Sequence, residues 1–241
     1  LTTEALSTAA GLDGSPSVVR SEFQPEGVNS LEGLLFPDTY FIAGDSSPTQ
    51  VLRDNEQTRA IWPHQFQMEL TVAVSGHQLD LELYIENTGK TVWPFAAALH
   101  TYLGLRSLQH VRLEGLMGRH FQDNVHGQEG LEDNPEKRFA GEIDRIYAQV
   151  GDLRLRDGSR VLDIGSDNLP DAVIWNPGPA KCEALADMPD EDWEHMLCVE
   201  AAAINQPPTA VHSTNAKAGL PAGVMYMLVM VVKISSEMTP G

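Results

Sequence analysis

The sequence predicts an all-β protein, a large antiparallel β-sandwich, from three observations. Apolar residues recur with a period of two in two adjacent segments. Turn residues punctuate short apolar runs along most of the chain. No segment longer than about ten residues keeps a 3.6-residue period. Alternation of this kind buries one face of a strand. Its repetition at short spacing points to a sandwich or barrel and away from alternating α/β units.

The elements follow in chain order. The first 47 residues are rich in Gly, Pro, Ser and acids. Ser15-Pro16-Ser17 and Asp45-Ser46-Ser47-Pro48 read as loops, and Leu34-Leu35-Phe36 and Tyr40-Phe41-Ile42 as short strand candidates. From Phe66 to Val74, Phe66, Met68, Leu70, Val72 and Val74 alternate with Gln67, Glu69 and Thr71. Ser75-Gly76-His77 is a turn, after which Leu79, Leu81, Leu83 and Ile85 alternate with Asp80, Glu82, Tyr84 and Glu86. Two matched amphipathic strands about a short Gly-containing loop form a hairpin. Further strands are expected at Val111–Leu113, Leu153–Arg156, Arg160–Ile164, Ala172–Trp175, Met196–Ala202 and Met225–Val232, with Asp157-Gly158-Ser159 as a second hairpin loop. The apolar run 224–232 has nine residues, against about 20 for a membrane helix. It reads as a buried strand, and would be a pairing hazard if left at an exposed edge.

The chain has 241 residues and a net charge of −18, from 34 acids and 16 bases. Such a chain has no electrostatic footprint for nucleic acid and is repelled by anionic membranes. No nucleic-acid or membrane partner is expected, and a monomer is. Residues 1–241 are expected to form one sandwich domain. Cys182 and Cys198 are too few for a disulfide framework; they read as thiols in a reducing, cytoplasmic setting, with a single disulfide open as the alternative. No basic and apolar leader opens the sequence.

Dinucleotide, P-loop, zincin and nucleophile-elbow motifs are absent from the sequence. The eight His residues show no ligand spacing, so no metal is expected. Two segments bear on chemistry. In Pro94–Tyr102, a strand would place His100 on one face with Ala96, Ala98 and Tyr102, with open space above the small residues. Either the imidazole serves a site there, or it is half-buried on a backbone carbonyl. In Asp187–Glu200, Met196, Cys198 and Glu200 share one strand face. A carboxylate in an apolar strand is costly unless partnered. Desolvation and nearby acids would raise its pKa toward that of a general base; the alternative is a strand end at the surface. No Lys or Arg lies between Cys182 and Ala216, so a cationic partner must come from elsewhere. The acidic turn 187–194 reads as solvated, and Arg154, Arg156 and Arg160 as the wet face of a hairpin. Trp62 and Trp175 read as packed strand ends, with sugar stacking as the alternative.

Taken in order, Thr58-Arg59-Ala60-Ile61-Trp62-Pro63, Ala98-Leu99-His100-Thr101-Tyr102, Asp144-Arg145-Ile146-Tyr147, Trp175-Asn176-Pro177-Gly178-Pro179, Asp187-Met188-Pro189-Asp190 and Cys198-Val199-Glu200 form a recognisable set. It resembles the glucose-6-phosphate 1-epimerase branch of the aldose 1-epimerase (galactose mutarotase-like) superfamily, over roughly Gln50 to Ala203. The resemblance implies a large antiparallel sandwich that interconverts α and β anomers of a hexose 6-phosphate with no metal or organic cofactor. It implies Glu200 as general base on the C1 hydroxyl, His100 as proton donor to the ring oxygen, and Asp144 as a ligand of sugar hydroxyls. The family's N-terminal Gly-rich, Pro-Trp/Phe-Phe-Gly and His-Gly-Phe-Ala-Arg motifs are missing from residues 1–47, where Arg20 is the only base. The tail after Asn205 departs too, so the ends read as divergent or truncated. Two alternatives are a non-catalytic carbohydrate-binding or interaction protein on the same fold, and a glycoside hydrolase using Asp144 and Glu200. The hydrolase leaves His100 without a role.

Overall fold

The computed structural model describes residues 49–75, 77–186 and 188–206, and the strand segments 9–10, 16–17, 19–25, 38–40, 209–210, 224–225 and 227–238. Two nine-stranded sheets and a two-stranded ladder form among these residues. The first sheet runs in the order Gln128–Leu131, His120–Asp123, Ile143–Tyr147, Asp171–Asn176, Met196–Ala203, Trp93–Gly104. Beyond Trp93–Gly104 lie Thr209–Ala210 with Val224–Met225, and also Val19–Pro25. The second sheet runs Glu136–Lys137, Arg112–Glu114, Leu153–Asp157, Arg160–Asp167, Met227–Met238, Gln78–Asn87, Phe66–Ser75, Thr49–Arg53, Asp38–Tyr40. Pairing is antiparallel except between 209–210 and 224–225.

The period-two segments explain the packing. In the 66–75/78–87 hairpin, Met68 faces Ile85, Leu70 faces Leu83 and Val72 faces Leu81. Their shared face is the core face: Leu70 and Leu81 are fully buried, and Met68 and Ile85 nearly so. A slip of one residue would turn each of these side chains to the outer face. Burying each contributes about 1.5–3 kcal/mol, which fixes the register. The first sheet answers with Phe95, Ala97, Leu99 and Leu103 from Trp93–Gly104 and Leu197, Val199, Ala201 and Ala203 from Met196–Ala203, all in one apolar cluster with the second sheet.

The predicted strands at 66–74, 79–86, 111–113, 153–156, 160–164, 172–175 and 196–202 are found, with ends moved by a few residues, whereas the predicted strand 225–232 is divided between Val224–Met225 in the first sheet and Met227–Met238 in the second. Several short elements escape sequence reading. Glu56–Ile61 is a helix too short for a periodic signal, held by a capping box in which the Asn55 side chain accepts from the Thr58 N–H and the Thr58 hydroxyl accepts from the Asn55 N–H. Gly178–Ala184 is a second short helix, and 120–123 and 128–131 are polar strands without alternation. Pro16–Ser17, read as a loop, pairs with Ala9–Ala10.

One expectation is corrected. Arg160 is not on the wet face of its hairpin. It is buried, donating to Asp157 Oδ2 at 3.0 Å and to the Gly104 carbonyl. The apolar C-terminal strand lies inside its sheet, in line with the sequence reading: Met227–Met238 pairs with Arg160–Asp167 on one side and Gln78–Asn87 on the other. A flanked strand has no unpaired N–H and C=O row to offer another chain. The strand candidate Leu34–Phe36, the loop Asp45–Pro48 and residues Phe41 and Ile42 lie outside the described residues. No helix among the described residues is long and apolar enough to cross a membrane.

Candidate functional site

Glu200 and His100, the candidate base and acid, lie on adjacent strands within the first sheet. Met196–Ala203 is buried along its whole length, on both faces. One face belongs to the core between the sheets. The other presents Met196, Cys198, Glu200 and Ala202. Glu200 therefore lies in mid-strand and is 4% exposed, which removes the reading of a surface strand end.

Its partner comes from the neighbouring strand. Trp93–Gly104 alternates buried and half-buried residues, and His100 falls on the half-buried face with Ala96, Ala98 and Tyr102, as the sequence predicts. The ladder pairs Cys198 with Tyr102 and Ala201 with Leu99, so Glu200 and His100 stand opposite each other. His100 Nε2 lies 3.4 Å from Glu200 Oε1. The basic partner that the 182–216 segment lacks thus comes from the neighbouring strand. A proton passed between the carboxyl and the imidazole leaves the net charge of the pair unchanged.

Two aromatic rings flank the imidazole. His100 stacks on Tyr102 with centroids 4.8 Å apart, and Trp175 meets the two edge-on at 5.6 and 6.2 Å. Trp175 pairs with Cys198 in the ladder, so its indole reaches across the intervening strand to His100. Trp175 is not simply a packed strand end; it holds the plane of the imidazole. On the other side of Trp93–Gly104, the register of Val19–Pro25 puts Arg20 opposite His100.

Asp144 is on the same face, in line with Trp175 and Cys198, but two strands away from Glu200. It accepts from Asn124 Nδ2 at 2.9 Å. The structure brings His100 and Glu200 together and leaves Asp144 two strands away.

The opposite face of the Asp144 strand holds a polar network that sequence reading missed. Tyr147 donates to Glu132 Oε2 at 2.8 Å, and Lys137 Nζ lies 3.1 Å from the same carboxylate. Arg145 Nε donates to Asp123 Oδ2 at 2.9 Å, and its guanidinium sits over the Phe121 ring at 4.0 Å. Burial alone would raise the pKa of Glu132; hydrogen bonds from Asn134, Tyr147 and Lys137 overcome it and hold the carboxyl below its ordinary range. Asp123 is lowered in the same way, against its burial, by the His126 backbone and the Arg145 side chain. Burial and the Glu132 carboxylate push the Tyr147 phenol well up. Only the motif Asp144-Arg145-Ile146-Tyr147 hinted at this; its partners lie on strands without a pattern.

The two-sheet antiparallel sandwich is the fold of galactose mutarotase-like structures. Solved structures agree on the fold. A "putative mutarotase" from Salmonella typhimurium superposes with a TM-score of 0.69 at 21% identity, covering 99% of this chain and 70% of that one. A "galactose mutarotase related enzyme" from Lactobacillus acidophilus gives 0.61 at 13% identity, covering 84% and 71%. In sequence, the aldose 1-epimerase family profile matches residues 38–216, and the chain belongs to that family. Proteins named "Putative glucose-6-phosphate 1-epimerase" are 34% identical over 166 residues in Cenchrus ciliaris and 30% identical over 156 in Escherichia coli K12. Those alignments cover 66% and 63% of this chain and 50% and 51% of the relatives. The chain spans about half the length of the curated relatives it matches.

Proposed function

We propose that this chain is an aldose 1-epimerase that interconverts the α and β anomers of a hexose 6-phosphate such as glucose 6-phosphate. The observation that carries the reading is the 3.4 Å approach of His100 to Glu200 on adjacent buried strands. The names of the curated relatives support the phosphate ester as substrate.

The hemiacetal hydroxyl and the ring oxygen are bonded to the same carbon. A base and an acid side by side can therefore serve both. Glu200, as carboxylate, takes the proton of the C1 hydroxyl. His100, as imidazolium, gives its proton to the ring oxygen. The bond from C1 to the ring oxygen breaks and the C1 carbonyl forms. The C1–C2 bond turns, and ring closure on the other carbonyl face reverses both transfers. The pair has zero net charge before the two transfers and again after both, which suits a site from which water is excluded. Trp175 offers an apolar edge to the sugar ring, and Asp144, on the same sheet face, accepts from its hydroxyls.

Anomer exchange measured by NMR on glucose 6-phosphate and on glucose tests the reading. Acid–base groups of this kind each contribute about 10²–10⁴-fold. Glu200→Gln and His100→Asn are each expected to lose that much while keeping the near-ultraviolet dichroism of the folded protein. Unchanged exchange in a folded Glu200→Gln variant refutes the mechanism. Sugar binding without exchange in the unaltered chain would establish the non-catalytic carbohydrate-binding reading instead.

A further inference from the structure

The acid–base pair has a third neighbour that ring opening does not use. Cys198 precedes Glu200 by two residues, so both side chains leave the strand on the same face. One imidazole nitrogen of His100, the Cys198 sulfur and one Glu200 oxygen all lie within 4.8 Å of one another. Cys198 is fully buried and Glu200 nearly so. We propose that His100, Cys198 and Glu200 form a binding site for zinc or a similar thiophilic divalent cation, and that the ion switches the acid–base pair off.

Ligand chemistry supports the choice of ion. A mixed nitrogen, sulfur and carboxylate set suits zinc, cobalt or copper and disfavours magnesium and calcium, which take oxygen. In a tetrahedral zinc site the donor atoms stand about 3.3–3.8 Å apart, from bond lengths near 2.0–2.3 Å. The 3.4 Å between His100 and Glu200 already meets this. Closing on the sulfur needs a shift of about 1 Å, within reach of a side-chain adjustment. Three protein donors leave the fourth position open to water or to a sugar hydroxyl.

The consequence for catalysis rests on the mutarotase reading; the binding itself does not. With a metal on Nε2, His100 cannot carry a proton to the ring oxygen. With a metal on its carboxylate, Glu200 cannot take one from the C1 hydroxyl. Binding releases two protons to solvent, that of the Cys198 thiol and the one that the His100–Glu200 pair holds, so affinity rises with pH. A chelator reverses the block, because no covalent bond to carbon is made.

Cobalt(II), added to the metal-free protein, is the probe. The expected result is a thiolate-to-cobalt charge-transfer band in the near ultraviolet, displaced by zinc. Cys198→Ser should abolish the band and weaken binding by at least the 10–100-fold that loss of mere outer-shell support costs a metal site. Glu200→Gln keeps the sulfur and should retain a weakened, shifted band, which covers the case that Cys198→Ser does not fold. Zinc should suppress anomer exchange in the unaltered chain. In Cys198→Ser it should do so far less, relative to that variant's own metal-free rate. Absence of the band, or its persistence in folded Cys198→Ser, overturns the proposal. Equal zinc inhibition of both proteins overturns the switch. A band in a chain that shows no exchange at all would uphold the metal site and sink the proposed function, so the two failures are distinct.

Discussion

Replacing Glu132 with Gln tests the physical account of the network beneath the site. The carboxylate is buried and receives Tyr147 at 2.8 Å, Lys137 at 3.1 Å and Asn134 Nδ2 at 3.1 Å. Gln keeps the volume and removes the charge, leaving Lys137 and part of Arg145 without their anion. Breaking a buried ion pair by removing one partner costs about 3–5 kcal/mol. Arg145 retains Asp123 at 2.9 Å and Lys137 is partly exposed, so the low end, about 3 kcal/mol, is expected. For a chain of this size that lowers Tm by about 6–12 °C. The cost must also depend on pH. Glu132 titrates near 4.5 in the unfolded chain and below that in the folded one. Its contribution is complete above the unfolded value and is lost as pH falls through the folded value. Urea unfolding at pH 7 and at about pH 3 should therefore show a large gap between the two proteins that closes in acid. Asp123 titrates in both and cancels. The exposed pair Glu136–Arg112, at 3.6 Å, is the control: Glu136→Gln should cost under about 1 kcal/mol. A gap of equal size at both pH values refutes the assignment of stability to the Glu132 charge.

Two further predictions concern the elements that hold the site. Gly178 has φ +62°, and a Cβ there would lie 2.7 Å from the Glu142 backbone nitrogen. Gly178→Ala should destabilise by about 1–3 kcal/mol, read from the urea midpoint; an unchanged midpoint would show that the strand after Glu142 yields freely. Asp171 accepts from the backbone N–H of Ile204 at 2.9 Å and Asn205 at 2.7 Å, just past the Glu200 strand. Asp171→Ala should speed hydrogen exchange at those two amides and cost about 1–3 kcal/mol for each donor left buried. Retained protection would mean that other groups satisfy them.

Much of this protein was legible in its sequence, and the boundary has a physical cause. Strand alternation is local: Met68, Leu70, Leu81 and Leu83 declare a core face because neighbouring side chains in a strand must point opposite ways. The same rule put His100 with Tyr102 and Cys198 with Glu200. Ordered motifs added the family. The Asp123–Glu132–Arg145–Tyr147 network was not legible. Its polar strands carry no alternation, and its bonds join residues 13 to 22 positions apart. The short helices were missed because six or seven residues hold under two turns.

By itself the sequence determined the fold class, the faces of its principal strands and the identity of the candidate acid and base. Tertiary structure decided that Glu200 is buried mid-strand, that its neighbour across the ladder is His100, that Asp144 lies two strands away, and that the apolar C-terminal strand is flanked on both sides. Those facts depend on which strands pair and in what register. Pairing is set by the summed burial of two whole sheets. No local stretch of sequence contains that sum.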